Sequence, residues 1–343
     1  MRLLVLGGTR FVGRHLVAAA LERGHEVTLV HRGLTNPDLF PDAERLLGDR
    51  GGDLSFLAGR RWDAAIDVNG YVPRIVRAAA ERLAGTVDLY AFISTLSVYA
   101  DLAPGADEEW PLRSPPPGSG ADAAEVTDDS YGWMKAACEA AVAAALPDRA
   151  LIVRPGLMVG PHDFSARFSY WVWRLARGGE VLAPAEPGRP VQLLDARDLG
   201  EWIVRRVEAG ATGVCNATGP DRPLTLGEVL TTCADIARKD AGKDATLTWV
   251  DEGFLLEHGA EPWTGLPLWL PAGSTGFFRV DNRRARAAGL TFRPLADTIR
   301  DTLAWLAEGG GVLPVPADRP GPLSAGHEAE LLRAWHGGHA RPS

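Results

Sequence analysis

The stretch Leu3 to Arg14 (LLVLGGTRFVGR) constrains this chain more than any other. Leu3, Leu4, Val5 and Leu6 have nothing polar between them and run straight into glycine, the pattern of a short strand buried on both faces. Gly7 makes a tight turn, and Gly13 lets the following helix pack closely on the strand. The backbone N–H groups that open this helix form a site for a pyrophosphate. Counting a GxxGxxG pattern from Gly7, Arg10 replaces the middle glycine, so only Gly7 and Gly13 are kept. The predicted dinucleotide turn covers Gly7, Thr9, Arg10, Phe11, Val12 and Gly13, with a helix over 11–23. A Gly-Gly turn also arises for conformational reasons alone, so residues further along the chain have to decide.

Glu26 to His31 (EVTLVH) reads as a second strand, and it ends in His31-Arg32-Gly33. A cofactor without a 2′-phosphate usually meets an acidic residue there, which accepts from the ribose hydroxyl. Arginine cannot accept, but it suits a 2′-phosphate, and Arg10 reaches the same place from the first turn. This favours NADP(H), with NAD(H) as the alternative; Arg32 also reads as a solvated charge at a strand end. A third strand over 46–50 leads to Asp49, an acceptor for an adenine amino group or a plain turn aspartate. Strands over 64–68 and 90–95 flank a helix over 73–83. Strands and helices alternating in this way imply a doubly wound parallel α/β sheet of Rossmann type, with ligands beyond the carboxyl ends of its strands and Thr95 at that edge.

With 343 residues, 46% of them hydrophobic, the chain can bury one large core or two unequal ones. A net charge of -8 speaks against a nucleic-acid or anionic-membrane partner. Cys138, Cys215 and Cys233 are scattered, giving neither a disulfide framework nor metal spacing, so no metal site and a reducing, cytoplasmic setting are expected. The opening apolar run enters a glycine turn and is too short for a signal peptide, and no stretch approaches the roughly 20 apolar residues of a membrane helix.

Between Asp101 and Asp129 the chain is acidic and rich in proline, glycine and serine, which reads as a flap over the site or as a tolerated insertion. The next helix opens with Ser130-Tyr131-Gly132-Trp133-Met134-Lys135. Tyr131 and Lys135 are four apart and share a helical face. An ammonium beside a phenol favours the phenolate and brings a group that ordinarily titrates near about 10 toward the working pH. Such a tyrosine can give or take a proton while a hydride moves.

In these residues the chain resembles the extended short-chain dehydrogenases/reductases of the NAD-dependent epimerase/dehydratase family over nearly its whole length. The resemblance is carried by the turn at Gly7 to Gly13, STLSVY at Ser94 to Tyr99, YGWMK at Tyr131 to Lys135, RPGLMVGP at Arg154 to Pro161 and LLDARDL at Leu193 to Leu199. It implies that Thr95 holds the substrate oxygen, that Tyr131 is the acid or base, and that Lys135 binds the nicotinamide ribose and tunes the tyrosine. Ser94 lies beside them in the cofactor set, with Pro155 and Gly156 against the nicotinamide and Asp49 and Arg50 near the adenine. It also implies a homodimer built on the alanine-rich helices after Pro73 and Lys135.

Departures from the family pattern narrow the reaction. Leu96 and Ser97 stand where sugar-nucleotide dehydratases carry an acidic pair, and Leu157 stands where nucleotide-sugar members usually show asparagine. Val191 falls where they place an arginine for the diphosphate. A buried diphosphate without partners is costly, which favours a reductase or dehydrogenase acting on the carbonyl or alcohol of a small, hydrophobic molecule. The alternatives are a nucleotide-sugar epimerase with transient oxidation by bound NAD and, in another class, a non-catalytic dinucleotide- or RNA-binding regulator. The predicted organisation is a dinucleotide-binding domain over 1–160, to which some later segments return, a mainly substrate-binding part over 161–308, and a linker with a C-terminal helix over 309–343. Trp171, Trp173, Trp263, Trp269, Phe164, Phe168, Phe277 and Phe278 in the second half read as a hydrophobic substrate pocket or as ordinary core, and His162 as a contact at the site edge or a loop residue without a role.

Overall fold

The computed structural model describes residues 1–120, 125–315 and 321–339, so 121–124 of the acidic loop, 316–320 of the linker and the last four residues lie outside it. The chain begins with β1 (Arg2–Leu6), α1 (Phe11–Glu22), β2 (Glu26–His31), β3 (Glu44–Leu47), β4 (Ala64–Asp67), α2 (Pro73–Leu83) and β5 (Leu89–Ile93). It continues with α3 (Asp128–Ala145), β6 (Ala150–Pro155), β7 (Leu157–Val159), α4 (Ser169–Leu175), β8 (Gly179–Pro184), β9 (Leu193–Asp195) and α5 (Ala196–Glu208). Then come β10 (Gly213–Ala217), α6 (Leu226–Ala241), β11 (Ala245–Val250), α7 (Glu252–Glu257), α8 (Arg283–Ala287), α9 (Leu295–Glu308) and α10 (Ala325–His339).

The chain divides into two compact units. The first comprises Met1–Met158, Ala196–Gly219 and Val280–Thr291. Its seven strands lie in the order β10-β6-β5-β4-β1-β2-β3, every neighbouring pair parallel. Leu3 of β1 pairs with Val27 on one side and Ala64 on the other. Leu3, Leu4 and Val5 are wholly buried, as an apolar strand covered on both faces must be. From β1 the chain winds outward to β3 and then returns to β4, so the crevice of a doubly wound sheet opens beyond the ends of β1 and β4. Helix α5 returns from later in the chain to pack on α1, and only glycine fits at their contact: a Cβ at Gly200 would lie 2.9 Å from the Leu16 nitrogen.

The third strand is displaced from the predicted 46–50 to Glu44–Leu47. The Phe56 ring fills the space where a Cβ at Gly48 would sit, and Asp49 Oδ1 accepts the Gly51 N–H at 2.8 Å, so the backbone turns before Asp49. The fifth strand stops at Ile93, because Thr95 leaves the ladder to cap the single turn Leu96–Val98.

The second unit comprises Val159–Asp195, Pro220–Arg279 and Phe292–Ser343. Strands β8 and β11 pair in parallel, and α4, α6 and α9 pack on one another. Trp171, Trp269 and Phe168 are fully buried there, with the Trp171 indole donating to Pro267 O at 2.7 Å. Helix α10 packs back on β8 through Glu328, which receives Arg174 Nε at 2.6 Å and the Leu182 N–H at 3.0 Å. Among the described residues no helix is long and apolar enough to cross a membrane.

Glu328→Ala removes the carboxylate partner of the partly buried Arg174 guanidinium and leaves the buried Leu182 N–H without its acceptor. A buried N–H left without its acceptor costs about 1–3 kcal/mol, so denaturant unfolding of this variant is expected to show a loss of that order, whereas Glu330→Ala, on the exposed side of α10, leaves stability unchanged.

Candidate active site

The turn after β1 is made of backbone that no side chain could replace. Gly7 and Gly8 sit at φ +107° and +100°, and the Gly7 N–H donates to Val30 O at 2.8 Å. A Cβ at Gly7 would lie 2.7 Å from Val68 Cγ2, and one at Gly13 would lie 2.8 Å from the Gly8 Cα. Thr9, Phe11, Val12 and Gly13 are buried, and Arg10 is exposed. Arg10 enters α1 in extended conformation and no side chain caps the helix. This cradle without Cβ atoms, facing an uncapped helix start, fits a pyrophosphate. Two of its parts escaped the sequence reading: Gly8, whose positive φ is as demanding as that of Gly7, and Asn36, whose amide donates to Thr9 O at 2.8 Å. The Asn36 contact links the loop after β2 to the turn across a sequence separation that no motif announces.

At the end of β2, His31 Nδ1 accepts the Gly33 N–H at 3.0 Å, and burial, with Arg45 nearby, lowers the His31 pKa below its ordinary value. Arg32 beside it is exposed. Asp49 is exposed in its turn. Arg50, expected near an adenine, is committed elsewhere: its terminal nitrogens grip Asp67 at 2.5 and 2.7 Å. The reason is electrostatic, since Asp67 is fully buried at the end of β4 and needs a counter-charge. Burial pushes the Asp67 carboxyl up, but Arg50 first and then Lys135 outweigh it and hold the group below its ordinary value.

The remaining residues gather at the ends of β4, β5 and β6. Ser94 is buried, its N–H on Val153 O at 2.7 Å, and its hydroxyl has no partner among the described residues. Thr95 Oγ1 accepts the Ser97 N–H at 3.2 Å. Helix α3 starts from a capping box between Thr127 and Ser130, which sets Tyr131 in the first turn and Lys135 one turn later. Lys135, 3% exposed, donates to Gly70 O at 2.8 Å and to Ile93 O at 2.6 Å, with its ammonium 4.3 Å from the centre of the Phe92 ring. Two of its three donors are thus used by the backbone. Tyr131 is half-buried, its ring centre 6.2 Å from that of Tyr71, and the Lys135 ammonium lies 5.4 Å from the Tyr71 ring. Pro155 closes β6; the Gly156 N–H donates to Ala217 O at 3.0 Å, and a Cβ at Gly156 would collide with the buried, unpartnered Thr218 hydroxyl.

Thr95, Tyr131 and Lys135 therefore lie at the carboxyl edge of one sheet. Asp67 and Tyr71 were not foreseen, although a carboxylate ending the apolar run AAID is a visible break of pattern. In the second unit, Trp171, Trp269 and Phe168 prove to be core, Trp263 packs edge-on against Phe277 and at a tilt against Phe278, and Trp173 donates to Gly311 O at 2.9 Å. Phe164 is exposed, and His162 packs edge-on against Trp305 at 5.4 Å. No group of His, Cys, Asp or Glu among the described residues could hold a metal ion.

Comparison with known proteins gives a match to the NAD dependent epimerase/dehydratase family over residues 3–217. The chloroplast stem-loop binding protein of 41 kDa b of Arabidopsis thaliana is 28% identical over 131 residues, which are 32% of this chain and 33% of that protein, so the match spans about a third of that relative. Among solved structures, UDP-glucuronic acid 4-epimerase from Bacillus cereus in complex with NAD is similar with a TM-score of 0.64 and 15% identity, covering 90% of this chain and 99% of that one. The Bordetella bronchiseptica enzyme WbmH in complex with NAD+ gives 0.65 and 16% with the same coverage. A UDP-galactose 4-epimerase gives 0.59 and 22%, again over 90% and 99%. These likenesses establish the fold.

Burial, the largest influence on Lys135, lowers its pKa to about 8 from an unfolded value of 10.5. The folded state therefore binds fewer protons than the unfolded state between those values, and stability rises with pH across that window. The difference in unfolding free energy between wild type and Lys135→Met is expected to grow by about 3 kcal/mol from below pH 8 to above pH 10.5, measured by denaturant titration.

Proposed function

Since the chain belongs to the NAD dependent epimerase/dehydratase family and is an enzyme of the short-chain dehydrogenase/reductase type, we propose that it is an oxidoreductase interconverting a carbonyl and an alcohol on a small, hydrophobic molecule. The observation that carries this reading is Lys135, whose buried ammonium is held at the ends of β4 and β5 on the same helical face as Tyr131. The glycine cradle would hold the pyrophosphate and the third Lys135 donor a ribose hydroxyl, while Pro155 and Gly156 would line the nicotinamide. When bound, the dinucleotide supplies or takes up the hydride. Thr95 holds the substrate oxygen, Tyr131 gives or takes its proton, and the Lys135 ammonium favours the phenolate.

Four positions narrow the reaction, and two of them, Leu157 and Val191, support a substrate without a nucleotide diphosphate. Leu96 and Ser97 follow Thr95, leaving no acidic pair for elimination. Leu157 is apolar, and Val191 is buried in the second unit with its N–H on Leu224 O at 3.0 Å. The second reading, an epimerase that oxidises and re-reduces its substrate on retained NAD, is favoured by the likeness to NAD-bound epimerases over 90% of the chain. An RNA-binding role, suggested by the chloroplast relative, sits poorly with an intact Tyr131 and Lys135 and a net charge of -8. For the dinucleotide, exposed Arg10 and Arg32, and a histidine in place of an acid at the end of β2, support NADP(H); the NAD-bound structural relatives support NAD(H). Ala140, Ala143 and Ala144, exposed on α3, support a homodimer through that face.

Tyr131→Phe is expected to abolish net oxidation of the reduced dinucleotide across a panel of aliphatic and aromatic carbonyl compounds, with dinucleotide affinity within a few-fold of wild type. Turnover near that of wild type removes Tyr131 from the mechanism. Tightly co-purifying NAD with no net oxidation of added dinucleotide selects the epimerase instead. By fluorescence titration NADPH is expected to bind about tenfold more tightly than NADH, a preference that Arg32→Ala removes; equal or tighter NADH binding overturns it.

A further inference from the structure

Lys135 is held by a turn, and the turn is held by a buried ion pair. Asp67 Oδ1 receives Arg50 NH1 at 2.5 Å and the Asn69 N–H at 3.1 Å, while Oδ2 receives Arg50 NH2 at 2.7 Å and the Tyr90 hydroxyl at 2.9 Å. The Asn69 bond pins the backbone between residues 67 and 70, and the carbonyl at the end of that turn, Gly70 O, is one of the two acceptors of the Lys135 ammonium. The turn has no slack. A Cβ at Gly70 would lie 2.5 Å from Phe92 Cε2, 2.8 Å from Val76 Cγ2 and 3.1 Å from Asp67 Oδ2, and Phe92 is the ring over which the ammonium sits.

We propose that Asp67, neutralised by Arg50, is a positioning residue for Lys135, fixing the Asp67–Gly70 turn that presents the ammonium and supplying a counter-charge behind it. An ion pair between the loop after β3 and the end of β4 thereby sets the geometry of a side chain on α3. The proposal rests on the reading of Lys135 as a ligand of the dinucleotide ribose. The groups facing Lys135 are Asp67 on β4, Arg50 after β3, Cys138 and Glu139 on α3, and the rings of Tyr71 and Phe92, with the Tyr90 hydroxyl of β5 behind Asp67. Burial disfavours the charged lysine most; Asp67 and Glu139 favour it, and Arg50 disfavours it.

The two members of the pair thus act on the lysine with opposite sign, which a merely structural role would not produce. The test is the pH dependence of NADPH affinity, followed by the fluorescence of the bound nucleotide, a measurement that needs no substrate. Wild-type affinity is expected to weaken with a midpoint near pH 8, as the ammonium is lost. Asp67→Asn is expected to lower that midpoint by about one pH unit and Arg50→Gln to raise it by less. Folded single variants whose midpoints stay at the wild-type value overturn the proposal. If either single variant fails to fold, the paired replacement Arg50→Met/Asp67→Leu removes both charges of the pair together, so that neither is left buried without the other. It is expected to lower the midpoint by less than Asp67→Asn does, while losing about tenfold in affinity below it, because the turn is no longer pinned; wild-type affinity in that variant overturns the proposal. Should wild type show no midpoint and Lys135→Met bind NADPH as wild type does, it is the reading of Lys135 that falls, and this inference with it.

Discussion

The first unit depends on the close approach of two pieces of backbone at the end of β1. Gly8 and Gly13 lie so near each other that no side chain fits between them, and this lets α1 start directly over the strand that divides the sheet. Every strand of the sheet is positioned from β1, with β2 and β3 to one side and β4, β5, β6 and β10 to the other. The crevice between the two sides results from that split, and so does the clustering at its rim of residues that lie far apart in the chain.

Charge is handled differently at two places where the first unit buries it. Arg154 grips Glu139 at 2.7 Å, shares a hydrogen bond of 3.0 Å with Tyr99 and donates to Glu108 O at 3.1 Å, while Tyr99 donates to Asn216 at 2.6 Å. Those groups are mutually satisfied and act as a polar joint between α3, β6 and β10. At the end of β4 a full ion pair is also satisfied, and it lies next to Lys135, two of whose donors go to backbone carbonyls while the third, under the proposed reading, meets the dinucleotide. Burying a cation with spare hydrogen-bonding capacity is unfavourable unless a ligand uses it.

Much of this was legible in the residues, and the parts that were not have a physical reason. The strand–turn–helix at Leu3 to Arg14 and the Tyr131–Lys135 face are local patterns, set by periodicities of the backbone itself, and they stand where those periodicities place them. The helix over Pro73–Leu83 and the strand over Glu26–His31 likewise keep their expected ends. The role of Arg50 was not legible, because it depends on a partner in another strand whose burial no local pattern encodes. The aromatic residues of the second half were ambiguous for a related reason: a tryptophan in a pocket and one in a core are identical as letters, and only the enclosure of Trp171 and Trp269 distinguishes them.

The second unit draws on three separated segments, and Glu328, near the far end of the last, is both the counter-ion of Arg174 and the acceptor for an N–H of β8. The first unit has all its strands once β10 has been made and needs only the segment to Thr291 to be complete. During synthesis the sheet can therefore form while the other half still lacks its final strap. Arg174 and the edge of β8 remain without their acceptor until α10 has left the ribosome.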